Sequence, residues 1–513
     1  MDPRGTPDPP AAGAVREQRA APAERVLLAL AATAAAAAPF AVVAFPPVTD
    51  LPQHVAQVGL LAEALADPGS PYRVQWLTPY GLVYALFAVA RAVAGPVAGG
   101  RLAMAVLAAA WVGAVHLLAA RRGRPATAAT LASLLVFHHA LYWGFASFLL
   151  GWPVFVLWLL WIGRERDVRP VREGLGTFAL AALLYLAHAL WFAAGVGWLV
   201  VEAALARRGR RLAAGRLAGV APVAAVAAAW FARVGETSFA TPPLWVDPLR
   251  RLDPRWLVEA AFGGLRGGVE TLALVAVLGW LLAAVLAGRR RPGGWDRTLA
   301  LLGLLFAAGA FVLPDKFTNT IEFNTRWLPP GLALLLVAAP PVRLPRRAAA
   351  ALAAALLVAY SFVTAATWRR FERLELAGLA PALATLPAEP RLLGLDYVRY
   401  SPRIDGRPFL QAFAWGQALR GGELNFSFAE FPPSLVVYDP PRRPPWSGGL
   451  EWFPERLRTA DLAHFDHVLV HAPPELHRAI AARAEVEPAT REGAWRLYRI
   501  VAGDRPRGPA AHP

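Results

Sequence analysis

Long apolar runs alternate with short polar segments along most of the chain. Several runs near twenty apolar residues recur between residues 26 and 365, the length at which a helix crosses the ~30 Å hydrocarbon core of a bilayer. The sequence therefore predicts a mainly α-helical, polytopic membrane protein. Its eleven predicted spans lie near residues 26–46, 101–120, 125–142, 148–163, 173–188, 190–206, 217–233, 266–288, 298–313, 327–341 and 347–365.

Arginine clusters between the apolar runs orient these spans, because cytoplasmic loops are enriched in basic residues. The clusters lie at 121–124, 164–172, 207–211, 289–291 and 343–347. This spacing predicts a cytoplasmic N-terminus and an extracytoplasmic C-terminus. The abundance of Ala, Arg, Pro and Gly is typical of a GC-rich bacterial genome, so we expect the bacterial inner (plasma) membrane.

Two apolar segments do not fit simple spans. Segment 79–95 is interrupted by Arg91, and a crossing there would place the 121–124 arginines outside. We predict instead an amphipathic helix on the outer face, within an outer loop at 47–100. Segment 173–206 would measure about 50 Å as one helix, so we predict a hairpin bent near His188.

The chain after Trp368 has the composition of a globular domain. Segments 391–397, 434–439, 465–471 and 494–500 predict strands, the last at a sheet edge, and 408–422 and 473–484 predict helices. We therefore expect an extracytoplasmic α/β domain. The predicted organisation is a disordered cytoplasmic tail at 1–25, a transmembrane domain at 26–365, the α/β domain at 366–505 and a disordered tail at 506–513.

Composition excludes several functions. The net charge of +16 comes from arginines in loops rather than from a basic groove, which argues against nucleic-acid binding. The absence of cysteine excludes disulfides, thiolate catalysis and zinc–sulfur sites. His467 and His471 share one face of a predicted strand but are too far apart for an easy shared metal site, and His464 precedes the strand, so we interpret all three as surface and edge histidines.

The stretch FPPVTDLPQHVAQ, residues 45–57, carries the first candidate chemistry. Asp50 precedes a predicted helix, where a carboxylate can simply cap the free N–H groups. Alternatively, Asp50 is a general base, with His54 one turn later on the same face. His54 would orient Asp50, share its proton, or bind a divalent cation (Mg²⁺ or Mn²⁺) with it.

A leaving phosphate needs positive charge, and the predicted outer loop at 313–331 offers Lys316 and Arg326. Lys316 is the only lysine of the chain, and it lies on the side where basic residues are disfavoured. Arg326 could instead be an interfacial anchor at the start of a span. Candidates for a second acidic or metal-binding residue are Glu322, Asp315, Asp247 and Glu236.

Aromatic and histidine side chains cluster at the predicted outer ends of two hairpins. Interfacial aromatic residues usually form a belt at the membrane surface. A cavity wall for a sugar or an isoprenoid chain is the alternative. The residues concerned are His138, His139, Tyr142, Trp143 and His188.

The layout resembles the GT-C superfamily of polyprenyl-phosphate-dependent glycosyltransferases, which includes protein O-mannosyltransferases and lipid A aminoarabinose transferases. The similarity rests on a first span, an outer loop with an early Asp, a surface helix, and a span between GGRLAM and RRGRP. It implies that Asp50 is catalytic and that the C-terminal domain is extracytoplasmic. Many members carry paired acidic residues in this loop, whereas Leu51 follows Asp50 here.

The sequence-based hypothesis is an inverting transfer of a sugar from a polyprenyl-phosphate donor to an unidentified extracytoplasmic glycan, lipid or protein. Asp50 would be the base, while Lys316 and Arg326 would hold the phosphate. Two alternatives stay open: a lipid or glycan transporter, and a catalytically inactive scaffold in envelope assembly.

Overall fold

A bundle of apolar helices forms the first three quarters of the chain. The computed structural model describes residues 22–164, 170–205, 210–238, 242–288, 294–318 and 320–501. Its helices in this part are α1 (Pro22–Ala41), α2 (Leu51–Ala66), α3 (Leu82–Arg121), α4 (Ala126–Ala132), α5 (His139–Trp143), α6 (Ala146–Ile162), α7 (Pro170–Ala187), α8 (Ala189–Leu205), α9 (Arg210–Ser238), α10 (Pro254–Ala261), α11 (Val269–Gly288), α12 (Arg297–Val312), α13 (Leu328–Ala338) and α14 (Arg346–Glu375).

Within the part of the chain that the structure describes, five helices are long and apolar enough to cross a membrane: Pro22–Ala41, Leu82–Arg121, Leu212–Val234, Val269–Ala287 and Arg346–Glu375. Shorter apolar helices occupy five of the six other predicted span positions, and α7 occupies the sixth, so the helices indicate a multi-pass membrane protein. The number eleven and the orientation stay predictions.

Helices α1 and α14 extend past the boundaries predicted for them. Helix α1 begins at Pro22, inside the predicted disordered tail, and α14 continues to Glu375, ten residues past the predicted end of the last span. The extension of α14 is held because Trp368 is fully buried against Phe40, with ring centroids 4.9 Å apart. The rest of the predicted tails, 1–21 and 506–513, lies outside the described residues.

The prediction of a separate helix before residue 96 is confirmed by a sharp bend inside α3. Gly95 has φ 76° and ψ −179°, which breaks the helix before Pro96. A Cβ on Gly99 would lie 2.6 Å from the Ala90 carbonyl oxygen, so the two halves of α3 fold back on each other. In a straight helix these residues would be about 13 Å apart. The first half packs on α2, where Arg91 donates to the Val55 carbonyl (3.2 Å).

The predicted break of the helix at His188 is also confirmed, whereas the antiparallel hairpin stays a prediction. Helix α7 ends at Ala187 and α8 begins at Ala189. His188 Nδ1 accepts a hydrogen bond from the Leu190 backbone N–H (3.1 Å), which stabilises the start of the second helix.

A five-stranded sheet forms the core of the C-terminal part, with strand order β3-β2-β5-β7-β6. Strand β2 pairs in parallel with β3 and β5, whereas β7 pairs antiparallel with β5 and β6. The remaining elements are α15 (Leu379–Thr385), β2 (Arg391–Asp396), α16 (Trp415–Arg420), β3 (Glu423–Leu424), β5 (His467–His471), α17 (Pro474–Ala481), β6 (Val486–Pro488) and β7 (Trp495–Ile500).

Two predictions about the strands are wrong. The segment 494–500 is not an edge strand, because β6 pairs on its outer side; three residues reading Val-Glu-Pro carry too little pattern to predict a strand. The segment 434–439 is not in this sheet. Its strand β4 (Val436–Tyr438) pairs antiparallel with β1 (Tyr72–Val74) of the predicted outer loop. The C-terminal part is thereby joined to the helical part.

His471 is a buried residue rather than the surface or edge histidine that the sequence predicts. It is 2% exposed, and its Nδ1 lies 2.8 Å from Asp396 Oδ1. Its ring stacks on Trp495 with centroids 4.4 Å apart. The alternation of apolar and polar residues predicted strand β5, but it did not show that both faces of this strand are covered.

Candidate active site

A cavity of about 370 Å³ lies where the outer loop, the helical hairpins and the C-terminal part meet. This volume is typical of a small-molecule site. Eight of its 21 lining residues are Phe, Tyr or Trp. The lining residues are Asp50, His54, Tyr80, Val83, Tyr84, Trp143, Gly144, Phe145, Ser147, His188, Thr320, Ile321, Arg326, Leu410, Gln411, Phe426, Phe428, Phe431, Pro433, Ser434 and Trp452.

Asp50 occupies the N-cap position of α2, but its side chain does not cap the helix. The residue has φ −88° and ψ −2°, and its carboxylate makes no cap hydrogen bond. Among the described residues it makes no other side-chain hydrogen bond either. The interpretation of Asp50 as a cap alone is therefore not supported, and its carboxylate is left facing the cavity.

A glycine turn fixes the backbone of Asp50. The Asp50 N–H donates to the Trp143 carbonyl (2.9 Å), and the Thr49 N–H donates to the Tyr142 carbonyl (2.8 Å). Gly144 has φ 81°, and a Cβ there would lie 3.0 Å from the Asp50 nitrogen. Only glycine permits both this backbone conformation and this close approach.

Burial raises the pKa of Asp50 to about 7, against a smaller lowering by the nearby Arg326 guanidinium. An ordinary aspartate has a pKa near 4 and is a weak base at neutral pH. A carboxylate with a pKa near 7 can accept a proton at neutral pH and retain it. Both the geometry and the pKa therefore suit general-base chemistry at Asp50.

His54 lines the cavity as a neutral residue whose two ring nitrogens are already engaged. Nε2 donates to the Gly144 carbonyl (2.8 Å), so Nδ1 accepts from the Tyr84 hydroxyl (3.1 Å). Burial lowers the pKa of His54 to about 4. His54 therefore has no free nitrogen for a proton or a metal ion, and it stabilises the Gly144 turn that holds Asp50.

Arg326 provides the cavity with its positive charge. The residue is 5% exposed, and its guanidinium lies 3.8 Å from the Phe145 ring centroid. Nη2 donates to the Ile321 carbonyl (2.8 Å), and Nε donates to the Glu322 carbonyl (3.1 Å). Nη1 has no such partner among the described residues, so one edge of the guanidinium can bind an anion.

Lys316 does not line the cavity, in contrast to its expected place beside Arg326. Its backbone pairs with Leu244 in an isolated antiparallel bridge. Arg326, but not Lys316, therefore lines the cavity that contains Asp50.

Three of the four acidic candidates, Asp315, Glu322 and Asp247, do not line the cavity that contains Asp50. Asp315 and Glu322 face a second cavity of about 370 Å³, which shares Trp143 with the first. Asp315 Oδ2 accepts from Arg251 Nη2 (2.6 Å), and Glu322 Oε2 accepts from the Thr325 hydroxyl (3.1 Å). Burial raises the pKa of Glu322.

Asp247 accepts from the Leu249 N–H (2.9 Å) and caps a short 3₁₀ helix. The side chain of Glu236 lies outside the described residues. Over the described part of the chain, no three His, Asp or Glu residues group as metal ligands. Both ring nitrogens of His54 are engaged, so Asp50 is the candidate ligand left of the Asp50–His54 pair, and the divalent cation stays a prediction.

The predicted aromatic wall divides into cavity residues and packing residues. Trp143 and His188 line the first cavity, whereas His139 lines the second. His138 Nδ1 accepts from the Ala140 N–H (3.2 Å) at the start of α5. Tyr142 packs edge-to-face against Trp368. Sequence cannot separate these neighbours, because a five-residue helix points consecutive side chains in different directions.

Two glutamines of α2 were missed by sequence reasoning. Gln53 Nε2 donates to Gln411 Oε1 (2.8 Å), and Gln53 Oε1 accepts from the Phe428 N–H (3.0 Å). Gln57 exchanges two hydrogen bonds with the Val436 backbone (3.0 and 3.1 Å). Both glutamines are fully buried, and their spacing of four residues on a largely apolar helix was the available signal. They attach the C-terminal wall of the cavity to the helix that begins after Asp50.

Comparison with known proteins identifies the fold. No known family model matches the chain, and no curated protein matches it. ArnT from Cupriavidus metallidurans bound to undecaprenyl phosphate is similar, with a TM-score of 0.55 at 13% identity over 94% of this chain and 99% of that chain. The chain has a GT-C-like fold. Apo ArnT from the same organism gives a TM-score of 0.52 at 13% identity, over 93% and 97% of the chains. The GT-C-like fold accounts for the bundle, the outer loop and the C-terminal part together.

Proposed function

We propose that this protein is a membrane glycosyltransferase that transfers a sugar from a polyprenyl-phosphate donor to an extracytoplasmic acceptor. The observation that carries the proposal is the Asp50 carboxylate, unpaired and facing a cavity that also contains the Arg326 guanidinium. The GT-C-like fold supports it, as does the undecaprenyl phosphate bound in the similar ArnT structure. The proposed location is the inner membrane of a bacterium.

In the proposed reaction, Arg326 binds the donor phosphate and Asp50 removes the proton of an acceptor hydroxyl. The acceptor oxygen forms a bond to the anomeric carbon, while the bond from that carbon to the phosphate oxygen breaks. The bonding electrons leave with the polyprenyl phosphate, and the proton stays on Asp50. A single displacement of this kind inverts the anomeric configuration. A pKa of about 7 lets Asp50 return the proton to water before the next cycle.

The charge of the cavity favours a donor with one phosphate rather than a diphosphate. Arg326 is the only basic side chain of Arg or Lys type among its described lining residues. Two of its nitrogens already bind backbone carbonyls, which leaves one edge for an anion. The aromatic lining, including Tyr80, Trp143 and Trp452, suits a sugar ring or the first isoprene unit.

The proposal is tested by replacing Asp50 with Asn in the organism of origin and profiling its lipid-linked sugars by mass spectrometry. We expect one polyprenyl-phosphate sugar to accumulate and one glycosylated product to disappear. Asp67→Asn is the matched control, because Asp67 lies at the exposed C-terminal end of the same helix. Unchanged donor and product pools with normal amounts of the Asp50→Asn protein would contradict the proposed function.

A further inference from the structure

A third cavity, of about 220 Å³, lies at the opposite end of the bundle from Asp50. It is formed by the start of α1, the end of α3 and the start of α4. Helix α1 begins at this cavity and ends near the loop that carries Asp50, and its 20 residues span about 30 Å. The cavity is therefore about one bilayer core away from the candidate active site, at the end predicted to face the cytoplasm.

Three basic or imidazole side chains line this cavity: Arg25, His116 and Arg124. His116 is 7% exposed, and its Nε2 is buried without a hydrogen-bond partner. Arg25 Nε is also buried without a partner, and Arg25 forms no ion pair with any described residue. The adjacent acid Glu24 pairs with Arg346 instead. Buried polar atoms of this kind normally have a hydrogen-bond partner, so the lack of a partner at Arg25 Nε and His116 Nε2 points to a ligand.

Arg124 differs from the other two because the protein already engages it. Its Nε donates to the Val337 carbonyl (3.0 Å), and its Nη2 donates to the Gly294 (2.8 Å) and Ala339 (2.7 Å) carbonyls. The guanidinium is thus fixed beside the cavity and contributes a stationary positive charge. Arg25 and His116 contribute donors that are still free.

The other walls are small and apolar. Ala29, Ala119, Ala120 and Ala126 surround the basic groups. A Cβ built on Gly113 would meet no other atom within 4 Å, so this glycine leaves open space in the cavity wall. The adjoining surface of α1 exposes Val26 (57%), Leu27 (66%) and Leu30 (62%), as expected for a helix face in contact with lipid.

We propose that this cavity binds the anionic headgroup of a membrane phospholipid, with the phosphodiester on Arg25 and His116 and the acyl chains along the exposed face of α1. A positively charged cavity between helices at the cytoplasmic membrane surface suits such a headgroup. The apolar walls and the lipid-facing rim favour an amphiphile over a soluble phosphate. The site is separate from the proposed donor site, because it contains neither Asp50 nor Arg326.

The test uses the full-length protein in nanodiscs made of phosphatidylcholine with a titrated fraction of phosphatidylglycerol. Bound lipid is counted by native mass spectrometry after release from the nanodisc. Two variants address the site: Arg25→Gln removes the free guanidinium, and Gly113→Leu fills the cavity without an atomic overlap at Cβ. Arg121→Gln is the matched control, because Arg121 is an exposed arginine at the same end of α3 that does not line the cavity.

We expect wild type and Arg121→Gln to retain phosphatidylglycerol selectively. Arg25→Gln should bind it about fivefold more weakly, the effect typical of one basic residue near an anionic surface. Gly113→Leu should lose the selectivity and keep its thermal stability. Equal weakening in Arg25→Gln and Arg121→Gln would overturn the proposal in favour of general surface charge.

Three further outcomes would also overturn the proposal. Unchanged selectivity in Gly113→Leu would mean that the headgroup does not enter the cavity. Competition by glycerol 1-phosphate as strong as that by the lipid would indicate a soluble phosphate ligand. Binding that appears only after deletion of residues 1–21 would make that segment the natural occupant. None of these outcomes bears on Asp50, so the proposed transferase activity is tested separately.

Discussion

The backbone amides of strand β4 should exchange their hydrogens with solvent faster when Gln57 is replaced by Leu. Gln57 and Val436 are both fully buried, and the Gln57 amide satisfies the N–H and the C=O of Val436 on the side of β4 away from β1. Leucine fills a similar volume but leaves both backbone groups without a partner. Each unsatisfied buried group costs about 1–3 kcal/mol, so the strand loses at least about 2 kcal/mol.

A loss of about 2 kcal/mol corresponds to a roughly 30-fold larger opening constant. Hydrogen–deuterium exchange with mass spectrometry on peptides covering 434–439 measures it directly. Ala62→Leu is the control, since Ala62 lies on the exposed face of the same helix. Equal exchange at 434–439 in Gln57→Leu and wild type would show that Gln57 does not attach the C-terminal wall of the cavity to α2.

Three further predictions concern the site itself. Transfer activity should rise with pH through a midpoint of about 7, because burial raises the pKa of Asp50 and only its ionised form accepts a proton. In an assay of the purified protein, a rate that is flat from about pH 5.5 to about 8.5 would count against Asp50 as the base. Arg326→Gln should weaken binding of a polyprenyl phosphate about 30-fold, measured by titration in detergent. It should also move the pH midpoint upward, because the guanidinium lowers the Asp50 pKa, whereas Arg326→Lys should keep the midpoint near 7. Equal affinities in wild type and both variants would refute the role of Arg326. Gly144→Ala should destabilise the turn by about 1–3 kcal/mol and lower the midpoint of thermal unfolding. Gly113→Ala is the control, because Gly113 occupies an open helical position, and it should leave the midpoint unchanged. Equal midpoints in the two variants would show that the turn tolerates a side chain.

The helical part of the fold could be predicted because its signals are local. Apolar length located the helices, and the arginine clusters excluded a crossing at 79–95, where the structure has the separate helix ending at Gly95. The His188 bend followed from helix length alone. Asp50 could be singled out because it follows the first apolar run.

The parts that sequence could not supply depend on contacts between distant segments. The pairing of β1 with β4 joins two three-residue strands, which are too short to show alternation. Lys316 and Arg326 share one loop, yet the Leu244 bridge directs Lys316 away from the cavity. Glu322 adopts φ 50°, and this turn in the backbone separates its side chain from the cavity that its neighbour Ile321 lines.

Turnover of lipid-linked sugars by the purified protein is the most direct test of Asp50 as the base of a sugar transfer. The protein would be reconstituted in liposomes with the lipid extract of its own organism, and the release of free polyprenyl phosphate would be followed by mass spectrometry. We expect release by wild type and by Asp67→Asn, and a rate at least about 10²-fold lower for Asp50→Asn. Equal rates of release by wild type and Asp50→Asn would rule out Asp50 as the base.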